Sequence, residues 1–152
     1  MTLPTVDAIG RTLQGLIGDA GSVRDQRPLA FSPSALGPCW VCRLIDDEGR
    51  EVGAIVADQA ATVGLGGALI GLPAHEIEEQ RALATPSDDV VSAMSEVSNN
   101  LCETINQEPG GCPVRVKPIE PLGPGMLSWV DAGRGLELEL TEGAGRLFLF
   151  AR

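Results

Sequence analysis

Glu96 and Asn99 lie three residues apart in the stretch SDDVVSAMSEVSNNLCETIN, from Ser87 to Asn106. An α-helix turns about 100° per residue. Val90, Met94, Val97, Leu101 and Ile105 then fall within roughly 80° of one another as an apolar stripe. Ser92, Glu96, Asn99, Glu103 and Asn106 share a similar arc on the opposite side. Side chains three apart on a helix are surface neighbours, so a carboxylate and a carboxamide here point the same way. One can grip a cation while the other hydrogen-bonds a water. A plainly solvated face is the bland alternative. Composition weighs against it, because Ser and Asn are mediocre helix formers where a face built for solubility uses Lys, Glu and Arg.

Other chemistry finds little support. His75 is the only histidine, so a Ser-His-Asp arrangement lacks a ready base near the serines of the long helix. His75-Glu76 begins a zincin-like pattern, but Glu79 stands where the second histidine is required. Gly64-Leu65-Gly66-Gly67 has neither the Lys-Ser/Thr of a P-loop nor the spacing of a dinucleotide fingerprint. Cys39 and Cys42 form a C-x-x-C within CWVCRLID. That segment reads as a strand, where positions i and i+3 face opposite ways. Cys102 and Cys112 do not repeat the spacing, so a four-cysteine zinc site is disfavoured. All four are expected to be small buried hydrophobes in a reducing compartment.

The setting is an acidic globular chain of 152 residues, enough for one domain with a full core or two half-size lobes sharing a sheet. With three Phe, two Trp and no Tyr, the core must come from Leu, Val, Ile and Ala. Eleven basic and 21 acidic side chains give a net charge of −10, which argues against nucleic acid or an anionic membrane as partner. The N-terminus MTLPTVDAIGRTLQGLIG has no basic start, and Arg11 interrupts its apolar run, so no signal peptide is expected. The weakly polar stretch from Ala60 to Ala74 is too short and Gly-rich to span a bilayer. A cytoplasmic protein is the expectation.

The elements that must position the long helix can be read in order. Val6 to Ile17 suggests a first amphipathic helix, with Asp7 near its start and Gly18 at its end. A Pro- and Ser-rich connector runs from Pro28 to Pro38. Cys39–Ile45 and Glu51–Ala57 are strands joined by the turn Asp46-Asp47-Glu48-Gly49. Asp58 to Ile70 reads as helix despite its glycines, and His75 to Leu83 as a short acidic helix. Ser87 is the N-cap of the long helix, with Asp88 and Asp89 complementing its dipole. Strands are expected over Val114–Ile119, Gly125–Asp131, Leu136–Leu140 and Arg146–Phe150. A faint echo lays Ala8–Gln14 over Ala93–Asn99, so that Arg11 and Gln14 stand where Glu96 and Asn99 do. It suggests a single domain over 1–152 built from a duplicated helix-plus-hairpin unit, with halves at about 1–84 and 85–152 related by a pseudo-twofold. The fold class is α+β, an antiparallel central sheet with two long helices packed on one side.

The run GAIVADQAATVGLGGALIGLP, a short acidic helix and then SAMSEVSNNLCETIN resemble the CheC–CheX–FliY family, the phosphatases of the chemotaxis response regulator. The family signature is a helix bearing Glu-x-x-Asn, here Ser95-Glu96-Val97-Ser98-Asn99 followed by Asn100. In element order the resemblance covers most of the chain; in residues it is concentrated between about Gly53 and Asn106. With one motif intact, the chain looks most like the single-site CheX branch.

The resemblance implies a phosphorylated CheY-type receiver domain as partner. Glu96 would reach the Lys beside the partner's phospho-aspartate, and Asn99 would align the attacking water. Ser92, Ser95, Asn100 and Glu103 would complete the contact surface. It implies no cofactor of the chain's own, since the acidic pocket and Mg²⁺ belong to the receiver, and it is compatible with a homodimer. One departure is plain. The family commonly continues with a Gly soon after the Asn, whereas Asn100 to Asn106 contains none, and Glu103 adds bulk and charge. The competing expectation is therefore a non-catalytic adaptor or assembly module of the same fold.

Overall fold

A tight hairpin lies within the sheet. In β2 (Cys39–Ile45) and β3 (Glu51–Asp58), Cys39 pairs with Asp58 and Leu44 with Gly53. The turn between them is closed by one carboxylate. Asp46 Oδ1 accepts the backbone N–H of Glu48 at 3.0 Å and of Arg50 at 2.9 Å, and its Oδ2 takes Arg50 Nε at 2.8 Å. The Arg50 backbone N–H, then the Arg50 side chain, hold the Asp46 carboxyl below the usual carboxylate range.

The computed structural model describes residues 1–27, 29, 31–130, 134–141 and 144–152. Among these, seven strands form one antiparallel sheet in the order β1 (Val23–Arg27), β6 (Gly135–Leu140), β7 (Arg146–Ala151), β3, β2, β4 (Arg115–Val116), with β5 (Glu120–Pro121) also on β2. Exchanging β1, β2 and β3 for β4/β5, β6 and β7 reverses this order onto itself. That is the layout a pseudo-twofold through the central β3–β7 pair produces.

Both faces of the sheet are covered, which is why β2 and β3 read as nearly unbroken apolar runs. Cys42, Leu44, Ile55, Ala57, Leu147 and Leu149 face the helices, while Cys39, Val41, Ala54, Val56, Phe148 and Phe150 face the other way. On the helix side lie α1 (Val6–Ile17), α3 (Gln59–Leu69) and α5 (Asp88–Asn106), contributing Ile9 and Leu13, Ala61 and Leu65, and Met94, Val97 and Leu101 to one core. The other face is covered by a short helix, α2 (Pro33–Leu36), and irregular chain. There Phe31 meets Phe148 and Phe150 edge-on at 5.2 and 4.8 Å.

Two contacts set the height of the helices. A Cβ on Gly66 would overlap the Val90 carbonyl oxygen and lie 3.2 Å from Met94 N, so α3 and α5 meet backbone to backbone. This accounts for Gly66, one of the glycines of α3 that sequence alone leaves unexplained. Asp58 caps α3 through Ala61 N at 2.8 Å while its other oxygen takes the Arg146 N–H of β7 at 3.0 Å. Burial raises the Asp58 carboxyl despite these donors. The fourth helix, α4 (Ala74–Ala82), is polar and rests on Ile77 against Gly67.

Several expectations need correction. The Val114–Ile119 strand is interrupted: pairing holds for Arg115 and Val116 and resumes at Glu120. Pro118 between them cannot donate to a ladder. The expected strand at Gly125–Asp131 is instead a series of turns over residues 124–129, with Gly125 and Leu127 at positive φ, and Asp131 lies outside the described residues. In the connector, Pro28 and Ala30 also lie outside them, and α2 occupies part of the remainder. The strand β1, VRDQR, is a polar edge with no apolar alternation to betray it. Cys112 is exposed and not a core residue. No helix among the described residues is long and apolar enough to cross a membrane.

Two measurements follow from these contacts. Gly66→Ala should lose about 1–3 kcal/mol in urea unfolding, because two backbones must part. Gly15→Ala has open space around the new methyl and should gain about 0.5–1 kcal/mol. For Asp46, the lowered folded pKa means the native state binds fewer protons than the unfolded one. Its stabilisation is complete above the unfolded value of about 4 and is lost as pH falls through the folded value. Unfolding midpoints of Asp46→Asn should lie below wild type at pH 7 and converge with it in acid.

Candidate functional site

The long helix α5 is tied down at both ends. Ser87 is its N-cap residue, yet the hydroxyl makes no capping bond. Instead, the Ser87 N–H donates to Gln80 Oε1 of α4 at 2.9 Å, and the Ser87 carbonyl accepts from Val91 N at 3.1 Å. At the far end Asn106 grips the backbone of Val114, accepting its N–H at 2.8 Å and donating to its carbonyl at 2.9 Å. Asn106 shares the outer arc but serves as a clamp between α5 and the chain leading to β4. The sequence signal for that role is an Asn at a helix end just before Pro109-Gly110-Gly111.

The rest of the helix divides as its periodicity requires. Val90, Met94, Val97, Leu101 and Ile105 are buried, and Ser92, Glu96, Asn99 and Glu103 are exposed. Ser95 and Asn100 are half-buried at the border. Asn99 Nδ2 donates to Glu96 Oε2 at 3.1 Å, and Asn100 Nδ2 donates to the Glu96 carbonyl at 2.9 Å. The Thr104 hydroxyl lies 3.2 Å from the Asn100 carbonyl and 2.7 Å from the Thr12 hydroxyl of α1, itself 3.1 Å from the Ala8 carbonyl. Two hydroxyl protons can fill two of these three contacts at a time, and the pair pins the crossing of α1 and α5.

Electrostatically the face is negative. Helix α5 carries Asp88, Asp89, Glu96 and Glu103 and no Lys or Arg. Among the described residues no ion pair involves Glu96 or Glu103. A groove of about 870 Å³ is lined by Asp19, Arg24, Ile77, Arg81 and Thr141 among others, and no α5 residue reaches it. A protruding carboxylate and carboxamide suit insertion into a partner's cleft better than capture of a small molecule.

On α1 the echo positions behave alike in burial but differently in chemistry. Ile9 is buried as Met94 is, and Arg11 and Gln14 are exposed as Glu96 and Asn99 are. Gln14 Nε2, however, donates to Ser22 Oγ at 3.2 Å, and Arg11 reverses the charge. Other reactive groups stand apart. His75 is exposed on α4, 3.9 Å from Glu76. Burial pushes the thiols of Cys39 and Cys42 up to about 11 on opposite faces of the sheet, and raises Cys102 as well, so these three are thiols rather than nucleophilic thiolates at neutral pH. Among the described residues no three His, Cys, Asp or Glu side chains converge to hold a metal.

No protein-family model matches this sequence, and no curated protein matches it. Solved structures do. A chain in the crystal structure of the CheX–CheY–BeF₃–Mg²⁺ complex from Borrelia burgdorferi aligns at a TM-score of 0.53 and 14% identity, over 97% of this chain and 94% of that one. A CheC-like superfamily protein from Shewanella aligns at 0.51 and 10% identity, over 96% and 92%. Thermotoga maritima FliY aligns at 0.49 and 15% identity, over 95% and 84%. Helices on one side of an antiparallel sheet, traversed by the chain in this order from end to end, make this the CheX and CheC-like fold.

Proposed function

We propose that this protein is a CheX-like phosphatase that hydrolyses the aspartyl-phosphate of a CheY-type receiver domain. The observation that carries the reading is the exposed, hydrogen-bonded Glu96–Asn99 pair on the outer face of α5. Its setting supports it too, since the fold is shared with a chain solved in complex with CheY, BeF₃ and Mg²⁺. The Glu96 carboxylate reaches a Lys beside the phospho-aspartate, and Asn99 enters the receiver's cleft and holds a water in line with the scissile bond. The water oxygen bonds to phosphorus as the bond from phosphorus to the aspartate oxygen breaks. Inorganic phosphate leaves, the receiver's carboxylate is restored, and the water's proton passes to the phosphate or solvent. Phosphoryl transfer needs positioning and charge stabilisation more than covalent help. A site without nucleophile or metal ligands is therefore sufficient, the Mg²⁺ coming with the receiver. Ser92, Ser95, Asn100 and Glu103 border the contact.

The test is phosphate release from a phosphorylated CheY-type receiver of the same organism. Wild type should accelerate it. Asn99→Ala should lose on the order of a hundredfold of that acceleration, and Glu96→Ala should bind the receiver more weakly. Binding without acceleration would make the protein an adaptor of this fold; neither would leave the fold alone.

A further inference from the structure

Glu96 and Asn99 are bonded to one another in the free protein, and chemistry dictates which way round. A carboxylate offers only acceptors. Asn99 can therefore meet Glu96 Oε2, 3.1 Å away, only through its N–H; the flipped amide would set two oxygens at that distance. With Nδ2 turned to Glu96, the carbonyl Oδ1 becomes the atom Asn99 offers outward from an exposed position. This orientation matters for a nucleophilic water. A water that donates a proton to Oδ1 keeps its lone pairs for phosphorus, whereas one that accepts from an N–H spends a lone pair on the amide.

Resting on the phosphatase reading above, we infer that Glu96 is also a positioning residue, which locks the carboxamide of Asn99 with Oδ1 outward before the receiver arrives. The two tasks of Glu96 do not compete. Its carboxylate has two oxygens and about four lone-pair sites, so Oε2 holds Asn99 while Oε1 is left for an ammonium group. The backbone beneath is steadied from below, because Asn100 Nδ2 donates to the Glu96 carbonyl and Thr104 ties the Asn100 turn to Thr12. Gln14 on α1 shows the contrary case: its Nε2 is drawn to the Ser22 hydroxyl, a group that also donates and so does not select one amide orientation.

The experiment compares Glu96→Gln with Glu96→Ala. The Gln variant removes the charge and keeps a carbonyl acceptor within reach of Asn99, but its own N–H now admits the flipped amide as well, so the lock is loosened and not abolished; the Ala variant removes both. In a titration with phosphorylated CheY-type receiver, both should show a raised KM. The kcat of Glu96→Gln should stay within about threefold of wild type, and that of Glu96→Ala should fall about tenfold or more. In the free protein, NMR of the Asn99 side-chain amide should show one proton shifted downfield and slow to exchange in wild type and Glu96→Gln, and neither in Glu96→Ala. Equal kcat for the two variants, with wild type active, would overturn the positioning role and leave the phosphatase standing. An Asn99 amide indifferent to Glu96→Ala would also overturn it. No acceleration by wild type would remove both.

Discussion

The architecture depends on one close approach, the contact of α3 and α5 at Gly66. A methyl there would meet the Val90 carbonyl, so the two helices pack at a separation that larger residues forbid. With α3 pressed to one flank and α1 pinned to the other through Thr12 and Thr104, α5 has its apolar stripe committed to the core and its opposite arc committed to solvent. Asp58 extends the constraint into the sheet, since a single carboxylate holds the start of α3, where β3 ends, to the start of β7. Gly145, at φ 94°, brings the chain back beneath that carboxylate where a side chain would collide with it. The exposure of Glu96 and Asn99 is thus a consequence of backbone geometry several residues away.

That geometry suits chemistry between two macromolecules. Side chains in the middle of a 19-residue helix anchored at both ends are held more rigidly than side chains on a loop. Oriented amides lose little freedom on docking, and the cost of ordering is met when the protein folds. The negative face has the opposite sign to a Lys but the same sign as an acidic receiver surface. Long-range attraction to the proposed receiver partner would therefore be weak, and its recognition would rest on short-range fit.

Much of this was legible in the residues. The 3.6-residue period of Val90 to Ile105 and the caps of α1 locate two helices, and the β2–β3 hairpin follows from its acidic Gly turn, because each signal is local. What stayed hidden depends on partners distant in sequence. β1 is a polar edge that is a strand only because β6 lies beside it. β4 and β5 are two-residue pairings on β2, too short to carry any period. The apolar residues of 126–130 mimic a strand because they pack on the sheet's second face, where Met126, Leu127, Trp129 and Val130 meet Phe148 and Phe150. At the site, the three-residue spacing shows that Glu96 and Asn99 are neighbours. It does not show that Asn106, on the same arc, turns to clamp Val114.

The two halves of the fold show how little separates a surface from a site. α1 and α5 bury Ile9 and Leu13 opposite Met94 and Ser98, and expose Arg11 and Gln14 opposite Glu96 and Asn99. On the exposed arc the differences that bear on the site are two side chains. Arg11 in place of Glu96 would repel the cation that a carboxylate grips, and Gln14 in place of Asn99 spends an N–H on Ser22. No backbone change is required to silence one face or to keep the other. Function here belongs to the side chains that the duplicated scaffold presents and not to the scaffold. A chain with the same sheet and helices but with Glu96 or Asn99 replaced would keep the contacts that hold α5 in place and lose the pair on which the proposed activity rests.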